Sequence, residues 1–546
     1  MTIPTLNRLI ATADIDNLVG TDAAFDIVSY VNAPSAVSVV LPGSAEIALG
    51  WAAGDIYGVS VEGYEGTRFN DAFHGNGANN FFIGGAGADT FWGGEGIDTI
   101  SYQTATSAIA INIGYYDPGL GDAAGDGVHS IENIIGSDFN DSIAGDGVNN
   151  RLEGGRGDDT LQGAFGADTL DGGDGIDTVS YDYSSTGAVT VNLGLGTAQA
   201  GDPNANPAGG DILINIENII GTKFADNLTG NDADNVLDGG MHVNGGVDVM
   251  AGKGGNDIYY VDRNNSTGAV DTVIEEANAG IDLVYTKTNY TLTANVENLT
   301  ALAGEYGAIT LTGNNLANTI LGNEFANTLN GADGNDTLDG AGGADHMEGG
   351  KGNDTYYVNH KSDKVIEKAG QGTDTVYTRA SYTLSNYVEK LIGEGSGAIN
   401  LTGNASSNTI TGNAGKNTIK GQGGNDIIDG GLGNDVLYGG KGKDAFVFST
   451  ALNKSKNVDK IADFNVKDDT IRLDNAIFTK LAKTGKLNKA FFKIGSKAKD
   501  KNDYIVYDSK KGVLSYDADG SGKGAAIKIA TLSKNLKMTA ADFLVI

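Results

Sequence analysis

Aspartates recur along this chain eighteen residues apart: Asp71 and Asp89; Asp141, Asp159 and Asp177; Asp336 and Asp354; Asp426 and Asp444. Paired carboxylates can run acid–base chemistry, as in glycoside hydrolysis, or they can hold a hard cation. A nine-residue register already accounts for every pair. Residues 331–357 read GADGNDTLD, GAGGADHME and GGKGNDTYY, so the pairing needs no catalytic explanation. The other residue types that do chemistry are sparse. None of the five histidines, His74, His129, His242, His346 and His360, falls in an H-E-x-x-H pattern. No G-x-S-x-G occurs, and Gly439-Gly440-Lys441 is followed by Gly442 where a phosphate loop needs Ser or Thr. With no cysteine there is no disulfide, thiolate metal site or thiol nucleophile. The expectation is a protein that is not an enzyme.

The units fall in five blocks, 66–101, 136–180, 221–260, 313–357 and 403–447. Position 1 is Gly throughout, position 6 is Asp in 16 units and Asn in 7, and position 8 is apolar. Positions 1–6, rich in Gly, Asn and Asp, form tight turns. Positions 7–9 form a three-residue strand that points only position 8 inward. Such a unit cannot bury a core alone. Two units make one coil of a flattened helix, and stacked coils make two parallel sheets around a thin core. The predicted fold is all-β, a parallel β-roll or β-solenoid.

Stacked turns bring the position-6 carboxylates one coil apart, where they repel; a cation between them removes the repulsion. Carboxylate and carbonyl oxygens favour Ca²⁺. The units resemble the RTX nonapeptide GGxGxDxUx of secreted hemolysin-type proteins, a calcium-binding β-helix repeat. That resemblance implies calcium between turns eighteen residues apart, held by carbonyls 2 and 4 and the Asp of one turn and by carbonyls 1 and 3 and the Asp of the next. The implied sets are Gly155, Gly157 and Asp159 with Gly172, Asp174 and Asp177; Ala332, Gly334 and Asp336 with Gly349, Lys351 and Asp354; and Gln422, Gly424 and Asp426 with Gly439, Lys441 and Asp444. Asp71/Asp89 and Asp141/Asp159 share the spacing, and Asp98 and Asp257 occupy the same position in their units. Asp168, Asp345 and Asp435 pair with Asn150, Asn327 and Asn417, one charge short and therefore weaker. Asn318 and Asn408 open their blocks without a charge.

Two spacers join the blocks. One starts at Asp26, Asp98 and Asp177 with Asp-x-Ile/Val-Ser-Tyr, continues as alternating strands, and closes with Glu and a Gly-x-x-Phe run, as in IENIIGSDFND at 131–141. The other appears at Asp282–Leu299 and Asp374–Leu391. Both read as extra coils with side loops. The pairs Tyr259-Tyr260 and Tyr356-Tyr357 are expected to end a coil and cover its core; stacking on a cell-surface polysaccharide is the alternative use.

The net charge is −33, which argues against nucleic acid as a partner. Charge is uneven: residues 1–442 carry 17 basic and 58 acidic residues, residues 443–546 carry 20 and 12. Three regions are expected: a spacer-like N-terminal cap at 1–65, the repeat blocks with their spacers at 66–447, and a C-terminal cap at 448–546. The last resembles the C-terminal module of RTX proteins and serralysin-type proteases, which implies an uncleaved signal for the type I secretion machinery. The apolar stretch Leu9-Ile10-Ala11 is too short for a secretory signal, and no segment is long enough for a transmembrane span. Asp517-Ala-Asp519-Gly-Ser521-Gly522 imitates a calcium loop, but Lys528 stands where the closing Glu is needed, so a hairpin turn is expected. The whole reads as a secreted, extracellular calcium-binding protein with a structural, surface or matrix role. Alternatives are a bacteriocin-like or host-interaction effector, and a carbohydrate-active enzyme sited in the spacers.

Overall fold

The computed structural model describes residues 6–14, 16–18, 25–41, 48–58, 61–115, 119–183, 187–199, 209–240, 246–264, 267–304 and 307–546. His242 and most of the insertion in the long unit 239–251 lie outside them. Two compact units form, residues 1–284 and 285–546. Among the described residues there is no α-helix, only strands and short 3-10 turns, and no helix that could cross a membrane.

In both units successive nonapeptide strands alternate between two parallel sheets. In the first unit Arg151–Arg156 pairs with Thr169–Asp174, while Ser142–Ala144, Thr160–Gln162 and Thr178–Ser180 run in the opposite sheet. In the second, Thr328–Asp333 pairs with His346–Lys351 and Thr337–Asp339 with Thr355–Val358. Position 8 points inward as its period requires: Leu152, Leu161, Leu170, Leu329, Leu338 and Met347 are fully buried. Six strands in blocks two, four and five run past position 9 into position 3 of the next unit, as in Arg151–Arg156. There Gly155 pairs with Gly173 and Arg156 with Asp174. The turns of those coils are tighter than the six residues expected.

The spacers are coils of the same sheets. Thr99–Ser101 pairs with Asn133–Ile135, and Asn133–Ile135 with Arg151–Arg156. Residues 6–65 also supply coils: Leu6–Ile10, Phe25–Ser29 and Val61–Glu65 pair in parallel. One spacer departs from the pattern, because Thr190–Asn192 and Thr197–Gln199 form an antiparallel hairpin. Tyr259 and Tyr356 are fully buried in the core, whereas Tyr357 is partly exposed and stacks on Tyr377 with ring centroids 5.4 Å apart.

The C-terminal region ends the second unit's sheets. Thr470–Leu473 pairs with Ala445–Phe448 on one side and Phe543–Val545 on the other, all parallel. The other sheet passes from Asp459–Ile461 to Ile527–Thr531 and then turns antiparallel through Val513–Tyr516 and Ile505–Asp508. The stretch 517–526 is the turn of that antiparallel pair, with the Asp519 carboxylate accepting the Gly524 N–H.

Candidate metal centre

Each block holds two columns of position-6 side chains, one for odd and one for even units. Within a column, the backbone N–H of each residue donates to Oδ1 of the next Asp, one coil on. Asp141 donates to Asp159 at 2.7 Å and Asp159 to Asp177 at 2.8 Å. Asn318, Asp336 and Asp354 continue the rule to Asp374, and Asn408 and Asp426 to Asp444. The same bond links Asp71 to Asp89, Asn80 to Asp98, Asn150 to Asp168, Asn235 to Asp257, Asn327 to Asp345 and Asn417 to Asp435.

The other carboxylate oxygen is left over. Oδ2 of Asp89, Asp98, Asp159, Asp168, Asp177, Asp257, Asp336, Asp345, Asp354, Asp426, Asp435 and Asp444 is buried with no hydrogen-bond partner. Native proteins rarely tolerate such groups without an ion or water. Burial pushes these carboxyls up: Asp159 and Asp426 to about 7, Asp168 to about 8 and Asp336 to about 6, with neighbouring carboxylates adding repulsion.

Position 1 shows where the free oxygens point. A Cβ on Gly154 would stand 2.2 Å from Asp159 Oδ2 and 2.6 Å from the Gly172 carbonyl. On Gly331 it would meet Asp336 Oδ2 at 2.2 Å and the Gly349 carbonyl at 2.6 Å, and on Gly421 Asp426 Oδ2 and the Gly439 carbonyl at 2.2 and 2.5 Å. An orphan carboxylate oxygen of one turn and a carbonyl of the next therefore converge in every one of the three sets. These are hard oxygen donors, the set Ca²⁺ takes. Position 2 carries the backbone strain of the turn, since Ala332 and Gln422 adopt φ of +82° and +79°.

The remaining expected ligands are placed as follows. Gly155, Gly157, Gly334 and Gly424 are left-handed turn residues. The Asp174 and Lys351 carbonyls accept the N–H of Gly157 and Gly334, at 2.9 and 2.7 Å. Their side chains face outward, Asp174 near Arg156 and Lys351 on Asp333, so only their backbone can serve the column. Lys441 pairs in the strand with Gly423.

Column starts are chemically different. Asp71 and Asp141 have both oxygens engaged by backbone N–H groups, from Val37 and Thr67 and from Ile109 and Ser137. Asn318 accepts the Asn314 N–H and donates to the carbonyls of Val296 and Glu297. Asn408 does the same with Asn404 and Val388. An amide can feed the spacer carbonyls beneath it; a carboxylate cannot.

Column ends draw on the spacers. Glu132, Glu217 and Glu389 accept the N–H of Asp98, Asp177 and Asp374. At Asp126 and Asp211 the second oxygen is taken by the hydroxyls of Tyr102 and Tyr181. The Asp-x-Ile/Val-Ser-Tyr signature and, at Glu132 and Glu217, a following Asn mark these devices in the sequence, whereas Glu389 is followed by Lys390; pattern alone does not say that they close a carboxylate column.

The family model of the RTX calcium-binding nonapeptide repeat (four copies) matches residues 65–100, 145–179, 215–241, 312–356, 402–437 and 420–447. The matched segments are RTX calcium-binding nonapeptide repeats. No curated protein matches the chain. The match touches all five blocks but leaves out Asp141, Asp248 and Asp257, and the repeat it describes binds calcium. The orphan oxygens of the RTX turns show which atoms are available to it.

Proposed function

We propose that this is a secreted protein whose RTX columns are completed by calcium outside the cell, and that it serves there as a structural, surface or matrix component without a catalytic step of its own. The observation that carries this reading is the row of buried, unpartnered Oδ2 atoms, which at Asp159, Asp336 and Asp426 converge with a carbonyl of the next turn. Removing the cation leaves like charges stacked around a core with one inward side chain per strand, so binding energy becomes folding energy. Low cytosolic calcium would keep the chain unfolded and threadable. The resemblance of the C-terminal region to the C-terminal module of RTX proteins supports a type I route, by which RTX proteins as a class are exported. The Asp426, Asp435 and Asp444 turns lie next to that region and offer the first coils to fold on emergence, onto which later coils stack.

Circular dichroism of the purified chain tests the calcium step. Strand signal should be lost in chelator at neutral pH and return with millimolar Ca²⁺. Full β content in chelator would sink the reading.

A further inference from the structure

The spacers that follow blocks three and four carry a glutamate outside every segment matched by the RTX family model. Glu275 comes directly after the strand Thr272–Ile274, and Glu367 after Lys364–Ile366. Each lies seven residues before the Asp that opens the next strand, in Val-Ile-Glu followed by Asp282 and Val-Ile-Glu followed by Asp374. Each strand pairs with the preceding coil, Thr272–Ile274 with Val249–Ala251 and Lys364–Ile366 with His346–Lys351. The glutamate thereby reaches the end of an RTX column.

Two similar clusters result, which differ in that Glu275 Oε2 accepts the Glu276 N–H at 3.2 Å. Carboxylate oxygens of Asp257, Glu275 and Asp282 lie within 4.8 Å of one another, as do those of Asp354, Glu367 and Asp374, and all six residues are buried. Oδ2 of Asp257 and Asp354 and Oε2 of Glu367 have no hydrogen-bond partner, on side chains of residues 1%, 1% and 7% exposed. A tyrosine fixes each glutamate: Tyr259 donates to Glu275 Oε1 and Tyr356 to Glu367 Oε1. Tyr356 also accepts the Gly349 N–H at 2.6 Å, so its hydroxyl is fully used and Glu367 Oε2 stays available. A Cβ on Gly252 would strike Asp257 Oδ2 and the Tyr259 hydroxyl at 2.0 and 2.3 Å; on Gly349 it would strike Asp354 Oδ2 and the Tyr356 hydroxyl at 2.2 and 2.3 Å. The same cradle is thus built twice.

We propose that Asp257–Glu275–Asp282 and Asp354–Glu367–Asp374 are a second class of calcium site, three-carboxylate sites in which a spacer glutamate joins two column aspartates and clamps the spacer coil onto the finished block. Three carboxylates this close repel strongly without a cation, and a third anionic donor raises affinity for Ca²⁺ over a two-carboxylate turn site. Where a column meets the other spacer type, Tyr102 and Tyr181 occupy the second oxygen of Asp126 and Asp211. Spacer chemistry therefore decides whether a column ends on a metal or on a phenol.

This inference rests on the calcium reading above, and equilibrium dialysis of the full chain against ⁴⁵Ca²⁺ separates the two. Glu275→Gln and Glu367→Gln keep the shape and can still accept the tyrosine hydrogen bond. Each should remove one bound calcium per chain, or weaken one site at least tenfold, and the double variant should remove two. Glu276→Gln, an exposed neighbour paired with Lys253, should leave the count unchanged. Wild-type protein that binds no calcium overturns the proposed function itself. Wild-type protein that binds calcium, with both glutamine variants at full count and affinity, overturns the three-carboxylate sites alone. If a glutamine variant does not fold in saturating calcium, Glu275→Asp and Glu367→Asp, which keep the charge but shorten the arm, are measured against the same thresholds.

Discussion

The backbone N–H of Asp336 donates to Oδ1 of Asp354 at 2.8 Å, and Oδ2 of both aspartates stays buried and unpartnered. One bond thus sets the register between coils, while the atom it leaves over sets the demand for a cation. Structure and ligand need are coupled through a single carboxylate.

That coupling gives a pH signature. Burial raises Asp89 and Asp168 to about 8, and Asp159, Asp257 and Asp426 to about 7, against about 3.9 in an unfolded chain. The folded state then binds more protons than the unfolded one between those values, so metal-free stability falls as pH rises through them. Protons replace calcium best below about pH 4. In chelator, strand signal should be greatest near pH 4 and fall on titration to pH 8, and saturating calcium should flatten the curve. A metal-free protein that gains strand as pH rises would contradict this.

Asp354→Ala and Asn318→Ala should fail differently. The first removes an orphan oxygen and should lower the number of bound calcium ions in calorimetric titration. The second strips hydrogen bonds from the Val296 and Glu297 carbonyls. It should cost about 1–3 kcal/mol of stability in saturating calcium and leave the ion count intact. Equal effects on the count would remove the distinction drawn between column start and column interior.

Gly331→Ala probes the converging oxygens directly. Gly331 is not among the left-handed residues, so the methyl adds little backbone strain, yet it would press on Asp336 Oδ2 and the Gly349 carbonyl. Calcium affinity of the fourth block should drop at least about tenfold, roughly 1.4 kcal/mol. Unchanged affinity would show that calcium is held elsewhere.

Export can be tested in a type I-competent host. Removing residues 490–546 should keep the chain in the cell, but it also takes away Phe543–Val545 and with it the partner of Thr470–Leu473. A passenger carrying residues 443–546 at its C-terminus avoids that ambiguity and should reach the medium. Replacing Asp426, Asp435 and Asp444 together should slow appearance of the full chain outside without blocking synthesis. A passenger that stays inside would place the signal elsewhere.

The sequence by itself determined the repeat, its two-sheet coil and the inward position 8, because a strict nine-residue period leaves only one way to bury Leu338 or Leu437. It also placed Asp159, Asp336 and Asp426 each in a stacked carboxylate column of its own block, since eighteen residues is one coil. The 517–526 hairpin turn was legible too, from the missing glutamate at Lys528. Only the tertiary structure decided how each carboxylate is spent. Asp141 and Asp159 look alike in sequence, yet Asp141 has both oxygens on backbone N–H groups while Asp159 keeps one free. Glu367 looks like one more acidic residue until the strand Lys364–Ile366 carries it to Asp354. Local pattern fixes which residue faces a column. Whether its oxygens are satisfied depends partly on its own turn, as with the Ser137 N–H on Asp141, and partly on groups far along the chain, such as Ile109, which the stacking of coils brings within hydrogen-bonding distance.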